Sequence, residues 1–65
     1  MTFYCVEERK NENGEWIPVA ATEFSSRSEA EKETAGRNKM FGQTYGCRFV
    51  FSTKKPDNVI WEDEQ

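Results

Sequence analysis

Residues 44–52, TYGCRFVFS, are the densest apolar and aromatic run in the chain, and they constrain its fold most. Strict alternation puts Tyr45, Cys47, Phe49 and Phe51 on one face and Arg48, Val50 and Ser52 on the other. Aromatic and β-branched residues at that period predict a half-buried strand in place of a helix. The rest of the chain must then pair with this strand or cover its rings.

With 65 residues the chain makes one small domain, expected to span residues 1–61 with an acidic tail over 62–65. A chain this short buries a modest share of its surface, so its five phenylalanines, two tyrosines and two tryptophans matter for stability. They predict an aromatic-rich core between a sheet and one helix.

Four segments flank or precede the aromatic strand. Residues 2–10 read as a first strand, with Phe3, Cys5 and Glu7 on one face and Tyr4, Val6 and Glu8 on the other. Asn11-Glu12-Asn13-Gly14 is a hairpin signal, served either by a two-residue turn on Asn13-Gly14 or by a type I turn with Gly14 in a bulge. A longer loop would set Arg9 opposite Trp16. Residues 15–21 form the return strand, which Pro18 marks as short or as an edge.

Ser26 with Glu29 three residues later matches a capping box, so a helix starts there. It is predicted to run to about Met40, with Gly42 as a left-handed cap. Its apolar stripe is thin: Ala30, Thr34 and Phe41, with Ala35 and Met40 alongside. Arg27–Glu31 and Glu33–Arg37 are i,i+4 ion pairs. After the aromatic strand, Lys54-Lys55-Pro56-Asp57-Asn58 is a turn by composition, and Val59-Ile60-Trp61 is either a short fourth strand or an apolar clip. The predicted fold class is α+β: a small antiparallel sheet, β-β-α-β with room for that fourth strand, in spatial order 2-1-3 and covered by one helix.

The two cysteines, Cys5 and Cys47, fall in neighbouring predicted strands. No apolar segment has the length of a membrane span, and no basic-then-apolar leader pattern opens the chain. A cytoplasmic setting with reduced thiols is therefore expected, and both thiols read as small buried hydrophobes. A disulfide between them would need an oxidising compartment.

Catalytic constellations are missing from the sequence. Without histidine, Ser-His, Cys-His and His-metal arrangements are excluded. The four glycines are dispersed, so there is no phosphate-cradling loop. Glu7 and Glu8 point to opposite faces of a strand, and Glu29 and Glu33 share a helix face with bases beside them. No enzyme, cofactor or metal is expected.

Binding remains, and charge layout offers two versions of it. The net charge is −3, yet residues 34–56 hold no acid while carrying Arg37, Lys39, Arg48, Lys54 and Lys55. That stretch is the candidate surface for single-stranded nucleic acid, through charge and stacking. GCRFVF shares Gly46, Phe49 and Val50 with the RNA-stacking strand pattern of RRM domains, but Tyr45, Cys47 and Arg48 depart from it. The candidate protein interface is Trp16 and Trp61, with Glu12 and Glu15 near the hairpin turn, because tryptophan near a sheet edge can anchor a partner. The orientation of Arg48 discriminates the two: joined to a basic surface, or neutralised by Glu7 or Glu8. Homodimerisation through an edge strand is a further option for so small a core.

The segments YCVEERK, NENGEW, FSSRSEAEKE and YGCRFVFS give a strand, an Asn-Gly turn ahead of a tryptophan, a return strand, a Ser-capped helix and a closing strand. That layout, over most of the chain, resembles the short acidic accessory proteins of tailed phages. The resemblance implies a cytoplasmic, non-enzymatic protein that binds and modulates or inhibits a host protein, such as a defence component. It carries over no binding residues.

Overall fold

The computed structural model describes residues 1–41 and 46–62. Strand β1 (Phe3–Lys10) and strand β2 (Trp16–Phe24) form a hairpin, helix α1 (Arg27–Phe41) follows, and strands β3 (Cys47–Ser52) and β4 (Ile60–Glu62) complete the chain. The sheet order is β3-β1-β2-β4, which contains the expected 2-1-3 arrangement and adds β4 at the far edge. β1 pairs antiparallel with both β2 and β3, whereas β4 pairs parallel with β2. The sheet is therefore mixed and not wholly antiparallel.

The hairpin turn is decided by Asn11. Its carbonyl accepts the Gly14 N–H, while its side-chain Oδ1 accepts the N–H groups of Asn13 and Glu15, each at 2.9 Å. Gly14 sits at φ +80°. This is the type I turn with a glycine bulge, and it sets Lys10, not Arg9, opposite Trp16.

Within β2, Glu7 faces Ala20 and Glu8 faces Pro18, so Val19 is an extra residue in a β-bulge. The bulge changes the parity of the strand: Ala20, Thr22 and Phe24 lie on the helix side, and Trp16 and Pro18 on the other. β2 is nine residues long and flanked by β4 only at residues 20–22. The proline thus keeps an edge position within a strand that is neither short nor an edge throughout.

α1 begins as the capping box predicts, with the Glu29 N–H donated to Ser26 Oγ at 3.3 Å. Its buried face is narrower than the expected stripe. Ala30 and Thr34 are buried, but Ala35 is exposed, Met40 is 74% exposed and Phe41 51%. Past Thr34, polar Arg37 and Asn38 face the sheet and bond to it, which turns Ala35 and Met40 outward. Gly42, the expected cap, and Tyr45 lie outside the described residues. Asp63, Glu64 and Gln65 of the expected tail also lie outside, while Glu62 closes β4.

Two small cores lie on opposite faces of the sheet. On the helix side, Cys5, Phe24 and Ala30 are buried, with Phe3, Phe49 and Phe51 packed against them. Phe3 stacks on Phe51 at 6.1 Å, and the guanidinium groups of Arg27 and Arg37 cap the Phe51 and Phe49 rings. On the other side, Tyr4, Val6 and Ala21 are buried beneath Val59, with the Trp61 ring 5.9 Å from that of Tyr4. β3 and β4 occupy opposite edges and run parallel, so residues 53–59 must cross the sheet to join them. Val59 on Tyr4, Val6 and Ala21 shows that this strap crosses the face opposite α1. Asn58, at φ +58°, turns the strap into β4.

Cys5 and Cys47 stand in adjacent strands and both are free. Cys5 is opposite Phe51 and Cys47 opposite Arg9, a four-residue offset. That is about 13 Å along the strands, well beyond the roughly 7 Å a disulfide spans. The register rules out the pairing whatever the compartment.

Candidate functional site

The bulge at Val19 turns Trp16 onto the helix-free face, where β1 and β3 supply its neighbours. Arg48, one residue into β3, lies with its guanidinium 4.3 Å from the Trp16 ring centroid, and the Lys10 ammonium lies 5.3 Å from it. Glu8, directly opposite Arg48 in the ladder, accepts its Nε at 2.8 Å. Trp16 is half-buried by this arrangement. The result is an aromatic ring with two cations within cation–π range, one of them fixed by a carboxylate.

Trp61 lies farther along the same face, 42% exposed, with the Lys55 ammonium 5.8 Å from its ring. Glu12 and Glu15 are exposed on the turn below Trp16, and Glu15 accepts a hydrogen bond from the Asn11 amide at 3.2 Å. The four candidate interface residues thus lie in two groups: Trp16 beside the Glu12–Glu15 turn, and Trp61 on the far strand.

The five candidate nucleic-acid cations are not brought together. Arg37 lies on the helix side, bonded to Glu33 at 2.7 Å and to Glu62 at 3.4 Å. Burial opposes its charge, but the hydrogen bond to Glu33 and the charges around it outweigh that and raise its pKa. Lys39 is exposed on α1, and Lys54 and Lys55 belong to the strap. Arg48 points away from the helix, but Glu8 pairs with it at 2.8 Å, so of the two alternatives it is neutralised and joins no basic surface with the other four.

A cleft of about 470 Å³ opens on the helix side, with Glu7, Arg9, Arg37, Phe41, Cys47 and Phe49 in its lining. Its charges are matched internally: Glu7 with Arg9 at 2.8 Å, and Arg37 with Glu62. The Cys47 thiol faces Glu7 Oε2 at 3.8 Å. Burial, and then the Glu7 charge, push the Cys47 thiol up; burial does the same at Cys5. Both sulfurs are protonated at neutral pH, the inert condition for a thiol.

Sequence reasoning weighed the Arg48–Glu8 pair, which the structure contains, but missed its junction with Trp16 and Lys10 because alternation alone puts Trp16 on the Thr22 side. Pro18 inside an otherwise strand-like run was the available signal of a bulge. Among the described residues, no helix is long and apolar enough to cross a membrane. No protein-family model matches the chain, and no curated protein or solved structure matches it significantly.

Proposed function

We propose that this chain is a small non-enzymatic binding protein of the cytoplasm, an accessory factor of the tailed-phage type that binds and modulates a host protein such as a defence component. Its anchor is Trp16. The observation that supports this reading is the ring in contact with Arg48 and Lys10 on the sheet face that α1 leaves uncovered. Tryptophan and arginine dominate binding energy at protein interfaces. A pre-ordered pair loses little further side-chain freedom on docking. Glu12 and Glu15 supply an acidic rim beside it.

The distribution of cations supports a protein partner over single-stranded nucleic acid. Arg48 and Arg37 are already bonded to carboxylates and lie on opposite faces, so a polyanion meets no continuous basic track. The test is capture from bacterial lysate with the tagged full chain, comparing wild type with a Trp16→Ala variant. Wild type is expected to retain a stoichiometric protein that the variant loses. Recovery of no such protein contradicts the reading, as does low-salt binding of single-stranded DNA in fluorescence anisotropy.

A further inference from the structure

The geometry points to the outer edge of β2 as an acceptor for an extended segment of a partner protein, an aliphatic–aromatic–acidic triplet laid parallel to β2 in the place β4 now occupies. This deepens the protein-binding reading and rests on it.

β4 is a strand of three residues, all exposed: Ile60 by 73%, Trp61 by 42% and the Glu62 side chain by 47%. Its partners on β2 are the reverse, with Ala20 at 7%, Ala21 at 1% and Thr22 at 0%. The acceptor row is thus small and buried, and whatever lies against it projects its own side chains over both faces. Strand addition of this kind draws affinity from main-chain hydrogen bonds and specificity from pockets for alternate side chains.

Both pockets are present. On the helix-free face, Tyr4 receives the aromatic residue, as it receives Trp61 at 5.9 Å, beside the patch of Tyr4, Val6 and Ala21 on which Val59 packs. On the helix face, Arg37 Nη1 and the Thr22 hydroxyl each stand 3.4 Å from Glu62 Oε1. Glu33 holds Arg37 at 2.7 Å independently of β4, so the acid-reading cation stays in place when β4 leaves. Val19 and Pro18 end the acceptor on one side, since a bulge and a missing N–H interrupt any longer ladder. Among the described residues the acceptor thus starts at Ala20 and faces the triplet Ile60, Trp61 and Glu62.

Release of β4 is local. The larger aromatic core of Cys5, Phe24, Ala30, Phe49 and Phe51 lies across the sheet, beneath α1, and contains no residue of β4. A short exposed edge strand belongs to the low-stability end of a fold. As a tethered competitor, β4 lowers the apparent affinity of the acceptor for any segment in trans.

The test uses the full chain and a fluorescein-labelled peptide with the sequence of residues 57–62, Asp-Asn-Val-Ile-Trp-Glu, read by anisotropy. Trp61→Ala removes the hold of β4 while leaving Tyr4, Arg37 and residues 20–22 intact. This variant is expected to bind the peptide roughly tenfold tighter than wild type does. The same peptide ending in glutamine is expected to bind it about fivefold more weakly. Equal affinity of wild type and variant overturns the proposal, as does indifference to the glutamine. A concentration-dependent dimer of the variant in sedimentation also overturns it, by making a second copy the occupant.

Hydrogen exchange on the wild-type chain tests the same point without a variant. Amides of residues 60–62 are expected to exchange about a hundredfold faster than those of β1. Equal protection overturns the proposal. Capture of a partner through Trp16 without peptide binding refutes the acceptor alone; peptide binding with no captured partner refutes the Trp16 reading alone.

Discussion

Asn38 closes both backbone groups of Phe49: its Oδ1 accepts the Phe49 N–H at 2.9 Å, and its Nδ2 donates to the Phe49 carbonyl at 2.8 Å. These groups point outward from the sheet, where a further strand would bond. A side-chain amide on α1 thus occupies the middle of the β3 edge and ties the helix to it. Edge strands left open invite pairing between chains, and this one is blocked at its centre. A homodimer through an edge strand, one option for so small a core, would find the β3 edge already engaged at Phe49.

Asn38→Ala leaves two half-buried backbone groups without partners, at a cost of about 1–3 kcal/mol. Urea denaturation of the variant is expected to show that loss, with sedimentation showing new association at high concentration. Asn38→Asp keeps the acceptor but loses the donor, and is expected to fall between. A variant as stable and as monodisperse as wild type contradicts the role.

Two glycines separate backbone need from backbone tolerance. Gly36 lies inside α1, with nothing within 4 Å of the position a Cβ would take. Gly36→Ala is expected to stabilise the chain by about 0.5–1 kcal/mol, through helix propensity alone. Gly14, at φ +80°, has as much space but the wrong backbone for alanine. Gly14→Ala is expected to destabilise by about 1 kcal/mol. Thermal or urea melts of the pair check both signs.

The hydroxyl of Thr22, fully buried, accepts from Arg37 at 3.3 Å and donates to Glu62 at 3.4 Å. Thr22→Val keeps the shape and removes both bonds, so a loss of about 1–2 kcal/mol is expected in denaturant melts. Glu62→Gln, altering a half-exposed ion pair, is expected to cost less than about 1 kcal/mol. The reverse ranking would contradict the placement of Thr22 at the centre of the network.

Burial raises the thiol pKa of Cys5 and Cys47 above the ordinary 9.0. The unfolded chain therefore loses these protons at lower pH than the folded chain. Above the unfolded pKa the unfolded state binds fewer protons, so stability falls as pH rises, until the folded thiols ionise as well. Urea midpoints are expected to decline from about pH 9 upward. Cys5→Ala is expected to flatten that decline while lowering stability at neutral pH. Slow alkylation of both thiols in the native chain at pH 8 is the companion result.

Much of the fold was legible because its signals are local. Alternation in β1 and β3 assigned each face correctly, Ser26 and Glu29 marked the helix start, and Asn11 to Gly14 marked the turn. What was not legible depends on pairing. The parity change at Val19 arises from strand register and moves Trp16 across the sheet, which no reading of β2 alone reveals. The parallel addition of β4 depends on a strap whose composition says only that it turns. The polar lower half of the helix face was missed for a related reason: Arg37 and Asn38 are core-facing because the sheet offers Thr22, Glu62 and the Phe49 backbone as partners.

Everything above depends on which rings lie on which side of the sheet, and nuclear Overhauser contacts in the full chain measure that directly. The account predicts contacts from the Ala30 methyl to the Phe24 ring and to the β3 phenylalanines, together with Tyr4–Trp61 and Arg48–Trp16 contacts on the opposite face. Contacts from Ala30 to Tyr4 or Trp16, with Phe49 and Phe51 showing none to α1, would contradict it.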